Sequence, residues 1–312
     1  MSARGCAAGL DVGGTFLKGA RVDADGVIEA RFHEPVAKGS GEDLFHQLAR
    51  AVACLESPAE PVRAVGVGLP GLVDEDGRVR RAPNVPVLNG LRVGQELALR
   101  CGRRAFAEND ANAAALAEAW IGAGQGARHL LFVTLGTGVG GALVLGGCLF
   151  TGRSGYAGEI GHLQVEPDGL PCGCGSWGCL ETVAGNGGWT RRAEEALARR
   201  GSSLQGQELS PANIVAAARQ RDPVALEVVE GTARALGVGL AAALDLLNLD
   251  RVVIGGGVAG AGEFLLASIV EQVRQRTFAD VFAACEFRLA ALGGDAGVVG
   301  AARVAWLGLA EG

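Results

Sequence analysis

No run of lysines and arginines and no basic excess exists in this sequence: 28 Lys and Arg stand against 34 Asp and Glu, for a net charge of −6. A groove that neutralises a phosphate backbone needs the opposite balance, so nucleic acid is not an expected partner. Nor does any uninterrupted apolar run reach the ~20 residues of a bilayer-spanning helix. The nearest approach, residues 233–249, is broken by glycines and by Asp245; it reads as a buried core helix, and no membrane association is expected. Residues 1–10 lack a charged segment followed by an apolar core and a cleavage site, which points to a cytoplasmic protein. No low-complexity linker divides the chain. Disulfide staples are also not expected, because the eight cysteines do not spread as pairs. Three of them, Cys172, Cys174 and Cys179, fall within eight residues, a spacing that favours a metal site. Cys6, Cys54, Cys101, Cys148 and Cys285 sit in apolar segments and read as small core residues.

What is present is a chain of 312 residues, 49% hydrophobic and 20% charged, long enough for two folded domains. It opens with three strand-like runs separated by turn residues, an expected antiparallel meander. Helical spacing over 41–56, a buried strand at 62–69, a hairpin over 72–79 with its turn at Asp76-Gly77, a helix over 93–101 and a strand over 104–107 follow. Residues 111–120 read as a helix bridging two lobes. A second set then starts with strands at 128–135 and 141–145 around a glycine turn. Each half therefore opens with strand, Gly/Thr-rich turn and strand, which predicts an internal structural duplication. Helical patterns over 187–200, 210–220 and 222–249 and a strand over 251–254 complete the pass.

Several constellations carry chemistry. In the first, Asp11-Val12-Gly13-Gly14-Thr15 with Lys18, a glycine turn lets backbone N–H groups approach phosphate oxygens, Thr15 adds a donor, and Asp11 can hold Mg²⁺ through water. A plain hairpin is the alternative. A second Gly/Thr turn, with Gly136, Thr137 and Gly138 between apolar strands, can clamp a polyphosphate from the other side. It is not a dinucleotide fingerprint, because a strand follows where a helix is required. Glu108-Asn109-Asp110-Ala111-Asn112 is a polar knot at a strand end. There Asp110 can act as general base toward a sugar hydroxyl and Asn109 can orient the sugar, or either can cap the next helix. His162, nine intervening residues, then Cys172, Cys174 and Cys179 form a closed Cys₃His set suited to structural Zn²⁺, flanked by Glu159 and Glu181. The glycines Gly255, Gly256 and Gly257 after the strand at 252–254 can admit a flat adenine or ribose, or are simply a flexible loop.

In their order, these segments resemble the ROK family of repressors, open-reading-frame proteins and sugar kinases. The resemblance also takes in Val65 to Gly71, Ala82-Pro83-Asn84 and Gly294 to Gly300, and so spans nearly the whole chain. It implies an α/β, duplicated, actin-like ATPase (RNase-H-like) fold with two lobes and a cleft. The implied small lobe is 1–113, with a C-terminal helix, 297–312, packing back on it; the implied large lobe, 114–296, carries the zinc site and nucleotide-binding elements. ATP with Mg²⁺ is the implied phosphoryl donor. Asp110 matches the family's catalytic base, and Asn109, Glu159, His162 and Glu181 match its sugar contacts, with His162 serving zinc and sugar through its two ring nitrogens. The implied activity is phosphorylation of a hexose, glucose first, with N-acetylmannosamine or another hexose as alternatives, in a homodimer or homotetramer. A non-catalytic sugar sensor is the rival reading, disfavoured by an intact Asp110 and by the ten residues ahead of Asp11, too few for a DNA-binding winged helix. Pro171 and Asn89-Gly90 depart from the family pattern without removing a ligand or catalytic group.

Overall fold

A computed structural model of the chain describes residues 5–58, 60–82, 85–257 and 262–310. Pro83 and Asn84 of the Ala82–Asn84 motif, Val258 and the last two residues of the expected final helix lie outside the described residues. The chain divides into two compact units, Met1–Gly126 with Leu149–Ala157 and Leu292–Gly312, and Ala127–Cys148 with Gly158–Ala291.

In the first unit the meander forms as β1 (Cys6–Val12), β2 (Phe16–Val22) and β3 (Ile28–Pro35). Helix α1 (Gly41–Leu55) starts at a capping box in which Ser40 and Asp43 satisfy each other's backbone N–H groups. Its buried stripe of Leu44, Leu48, Ala51 and Leu55 has the helical period and faces the sheet core. There follow β4 (Val62–Leu69), the hairpin β5 (Leu72–Val73) and β6 (Val79–Arg81), α2 (Val93–Cys101), β7 (Arg104–Asn109) and α3 (Asp110–Ile121).

The second unit contains β8 (Leu130–Leu135) and β9 (Val139–Leu145), with β10 (Cys148–Phe150) where the chain leaves it. Then come α4 (Leu180–Ala184), α5 (Asn186–Leu197), α6 (Pro211–Arg219), α7 (Pro223–Leu247), β11 (Arg251–Gly255), α8 (Glu263–Arg274), α9 (Ala279–Ala283) and β12 (Glu286–Leu289). The last helix, α10 (Ala296–Ala310), belongs to the first unit. Among the described residues no helix is long and apolar enough to cross a membrane; α7 instead buries Val228, Leu236, Leu240 and Leu244 in the core of its unit.

The two five-stranded sheets have the same plan. Their orders are β3-β2-β1-β4-β7 and β10-β9-β8-β11-β12. In each the first strand pairs antiparallel with the second and parallel with the fourth, and the fifth runs parallel to the fourth. The duplication expected from the two Gly/Thr turns is thus present as topology.

The expected lobe boundary at 113 falls inside α3. A helix is one rigid element, and this one packs on α10: the carbonyl oxygen of Ala113 lies 1.8 Å from where a Cβ on Gly300 would sit. All of α3 therefore stays with the first unit, and the chain passes to the second at Gly126. The same closeness brings α10 onto the sheet, where Cβ atoms on Gly9 and Gly66 would collide with Val298 and Ala301 carbonyls at 1.9 and 1.7 Å.

Candidate functional site

The strand register of the first unit sets Asp11, Gly68 and Glu108 side by side on β1, β4 and β7, with Asn109 next to Leu69. These are the carboxyl ends of three parallel strands, the edge at which α/β sheets bind ligands. Lys18 lies opposite Asp11 across the β1–β2 pair, and its Nζ donates to Gly294 O at 3.4 Å. Burial raises the Asp11 pKa while the Lys18 charge draws it down; a further cation beside Asp11 would favour its ionised form. The tip of the turn, Gly14 and Thr15, is exposed. It is steadied by Gly13 N–H donating to Phe16 O at 3.0 Å and Val36 N–H donating to Thr15 O at 2.9 Å.

At the end of β7 the polar knot sorts its own duties. Asn109 is the N-cap of α3: its side-chain oxygen accepts from Asn112 N at 3.0 Å and its Nδ2 donates to Gly71 O at 2.8 Å. Asp110 occupies the first helical position and accepts from its neighbour Ala111 N at 2.8 Å. Capping therefore falls to Asn109 and not to Asp110. Glu108, to which the sequence assigned no role, is a half-buried carboxylate whose Oε1 accepts from both Asn109 N, at 2.8 Å, and Asn112 Nδ2, at 2.9 Å; desolvation raises its pKa. A carboxylate closing an otherwise apolar strand pattern, directly before Asn-Asp, was the available signal.

In the second unit the turn between β8 and β9 carries Gly136, Thr137 and Gly138, closed by Gly136 N–H donating to Gly138 O at 3.0 Å. Gly255 pairs with Thr134 at the end of β11. Gly256 has φ +87°, and a Cβ there would stand 2.2 Å from Leu135 O. The two glycine segments, 136–138 and 255–257, are thus neighbours at the carboxyl ends of β8 and β11.

The cysteine loop folds back on itself. Val165 and Glu166 N–H groups both donate to Gly178 O, Cys172 N–H donates to Ser176 O, and Leu180 N–H donates to Leu163 O. This brings one donor atom from each of His162, Cys172, Cys174 and Cys179 within 4.8 Å of one another. Cys172 Sγ is 3.6 Å from His162 Nδ1 and Cys174 Sγ is 3.7 Å from Cys179 Sγ. A tetrahedral zinc with bonds of ~2.3 Å to sulfur and ~2.0–2.1 Å to nitrogen requires edges of about 3.6 and 3.8 Å, so the donor set fits that ion. Without a cation, burial pushes the Cys172 thiol up and that of Cys179 to about 12, while the Ser176 N–H draws Cys174 down.

Beside this loop His162 turns its other nitrogen, Nε2, to Glu159 Oε2 at 3.8 Å. Burial raises the Glu159 pKa, His162 lowers it, and Glu181 raises it again. Glu181 accepts Val139 N–H at 3.1 Å and its second oxygen lies 3.9 Å from Cys172 Sγ. Asp11, Gly13, Gly14, Thr15, Lys18, Asn109 and Asp110 thus lie in the first unit, and Glu159, His162, Glu181, the three cysteines and the two later glycine segments in the second.

The sequence profile of the ROK family matches residues 7–306. The chain is similar to the glucokinase of Thermotoga maritima, 36% identical over 304 residues covering 95% of this chain and 96% of the relative. Among solved structures it is similar to a ROK hexokinase from Thermus thermophilus, at 35% identity and TM-score 0.87, covering 98% of this chain and 100% of that one. It is also similar to a ROK family glucokinase from Streptomyces griseus in complex with glucose and AMPPNP, at 36% identity and TM-score 0.82, covering 97% and 100%.

Proposed function

The chain belongs to the ROK family, and on that premise we propose that it is an ATP-dependent hexose kinase converting glucose to glucose 6-phosphate with Asp110 as general base. Its duplicated fold is that of the actin-like ATPases. The observation that carries the assignment of the base is the division of labour in the polar knot: with Asn109 as cap, α3 does not need the Asp110 carboxylate to start.

Phosphoryl transfer demands positioning and charge stabilisation more than covalent chemistry. The sugar 6-hydroxyl gives its proton to Asp110 as its oxygen attacks the γ-phosphorus, and ADP leaves in line. Asn109 orients the sugar while capping, because an amide oxygen keeps a second lone pair and an amide nitrogen a second hydrogen. Glu159, Glu181 and His162 Nε2 hold ring hydroxyls. Backbone N–H groups of Gly13, Gly14 and Thr15 and of Gly136, Thr137 and Gly138, with Lys18, receive the phosphates, and the 255–257 glycines border the adenine and ribose. Asp11 would hold Mg²⁺, and that ion, when bound, would neutralise charge on the nucleotide phosphates. His162 Nδ1, Cys172, Cys174 and Cys179 would hold a structural Zn²⁺, which, when bound, would pin the loop, since a set of four protein ligands leaves no coordination position for water. The enzyme works as a homodimer or homotetramer, a reading that rests on the family resemblance.

A coupled assay across a hexose panel, with ATP and with polyphosphate, tests this function, and NMR of the product locates the phosphate. Glucose with ATP is expected to give the highest kcat/KM and a 6-phosphate. Phosphate on the anomeric oxygen, or no turnover with any hexose, refutes the reading.

A further inference from the structure

Glu181 makes contacts that a sugar ligand alone would not require. It stands in the first turn of α4, two residues after Cys179, and its Oε2 accepts the N–H of Val139, 42 residues earlier, where β9 leaves the turn that follows β8. A methyl group on Gly138 would stand 2.1 Å from that same oxygen. The residues that follow α4 brace the same turn: Asn186 N–H donates to Gly136 O at 3.0 Å, and a Cβ on Gly185 would lie 2.9 Å from Thr137 O. The segment carrying Glu181 is therefore fastened at two points to the turn proposed to receive phosphates. On its other side the carboxylate approaches the metal loop, with Oε1 3.9 Å from Cys172 Sγ.

We propose that Glu181 couples the two substrates: the carboxylate that receives a sugar hydroxyl also holds Val139 N–H, so a bound sugar sets the Gly136–Gly138 turn for the phosphates of ATP. This rests on the assignment of Glu181 as a sugar contact. A carboxylate only partly buried, as Glu181 is, can still rotate, whereas one held by a sugar hydroxyl presents Oε2 steadily to the turn. Linkage makes the effect reciprocal, so nucleotide phosphates in the turn strengthen sugar binding by the same factor. Gly138 is the second half of the device. Its missing side chain is what lets the carboxylate reach Val139, and a methyl there displaces the free end of a flexible side chain rather than backbone.

The test is G138A, read by calorimetric titration with glucose in the absence of nucleotide. A glycine serving phosphates alone would leave that binding untouched. If the methyl displaces Glu181, the glucose Kd rises on the order of tenfold, the loss of one hydrogen bond to a charged group. The double variant G138A/E181A then binds glucose no more weakly than E181A, because the methyl has nothing left to displace. In the unsubstituted protein, glucose alone is expected to slow hydrogen exchange at the Val139 amide, a readout that does not depend on any variant folding. Normal glucose affinity in G138A beside weakened affinity in E181A overturns the coupling and leaves the sugar contact standing. Normal affinity in E181A removes the contact and the coupling with it. Unchanged Val139 exchange at saturating glucose also overturns the coupling.

Discussion

Replacing Asp110 by Asn turns one carboxylate oxygen into an amide nitrogen at the first position of α3, and the two roles open to that residue respond differently. The structural part of the change is small. Asn109 carries the cap through its bond from Asn112 N, and an Asn at 110 keeps an oxygen for the bond from Ala111 N. What is lost for stability is a negative charge at a helix N-terminus, typically ~0.3–1 kcal/mol. In a chain of this size that lowers Tm by no more than about 4 °C. The catalytic part is large, because an amide cannot take the sugar proton and general-base assistance is typically worth ~10²–10⁴-fold. The expected result is a glucose KM close to that of the unsubstituted enzyme, with kcat lower by roughly that factor. A coupled spectrophotometric assay beside a thermal melt measures both. A folded D110N enzyme with kcat within about threefold of the parent, far outside the range for a lost base, refutes the assignment.

Elemental analysis should find one zinc per chain, and C174S should lose the metal and weaken glucose binding, since metal and loop order are linked; a folded, active, zinc-free preparation contradicts the four-ligand set. E118A should be destabilised by roughly 2–4 kcal/mol in denaturant unfolding. The fully buried Glu118 accepts Ala123 N–H at 2.7 Å and Leu292 N–H at 2.9 Å, and E118Q, able to keep one of these bonds, should fall between. Burial opposes ionisation of Asp222, but N–H groups of Ala225 and Ser203 and the hydroxyls of Ser203 and Ser202 outweigh it and hold its pKa at about 2. A folded pKa below the unfolded one contributes stability present above about pH 4 and lost as pH falls toward 2. The stability gap between the parent and D222A should therefore shrink over that window in pH-dependent melts, and a gap independent of pH would count against the ionised cap.

The convergence of His162 with the three cysteines was legible in the residue order, because the four are close along the chain. The same holds for the meander of β1 to β3, for α1 and α2, and for the two Gly/Thr turns, where period and turn chemistry act over a few residues. β10, α8, α9 and β12 left no comparable pattern: Glu286–Leu289 is a strand through its pairing with β11, a partner that local spacing does not name. Which of Asn109 and Asp110 caps α3 depended on Gly71, 38 residues away, anchoring the Asn109 amide. The placement of α10 against β1, β4 and α3, and the reach of Glu181 to Val139, likewise join residues far apart in sequence. The sequence by itself determined the residue chemistry and the short-range geometry of the two glycine turns and the cysteine loop, because propensity and residue spacing operate within a turn or two of chain. Only the tertiary structure decided which carboxylate is buried, which amide caps and which oxygen meets which N–H, because strand register and helix packing set those distances.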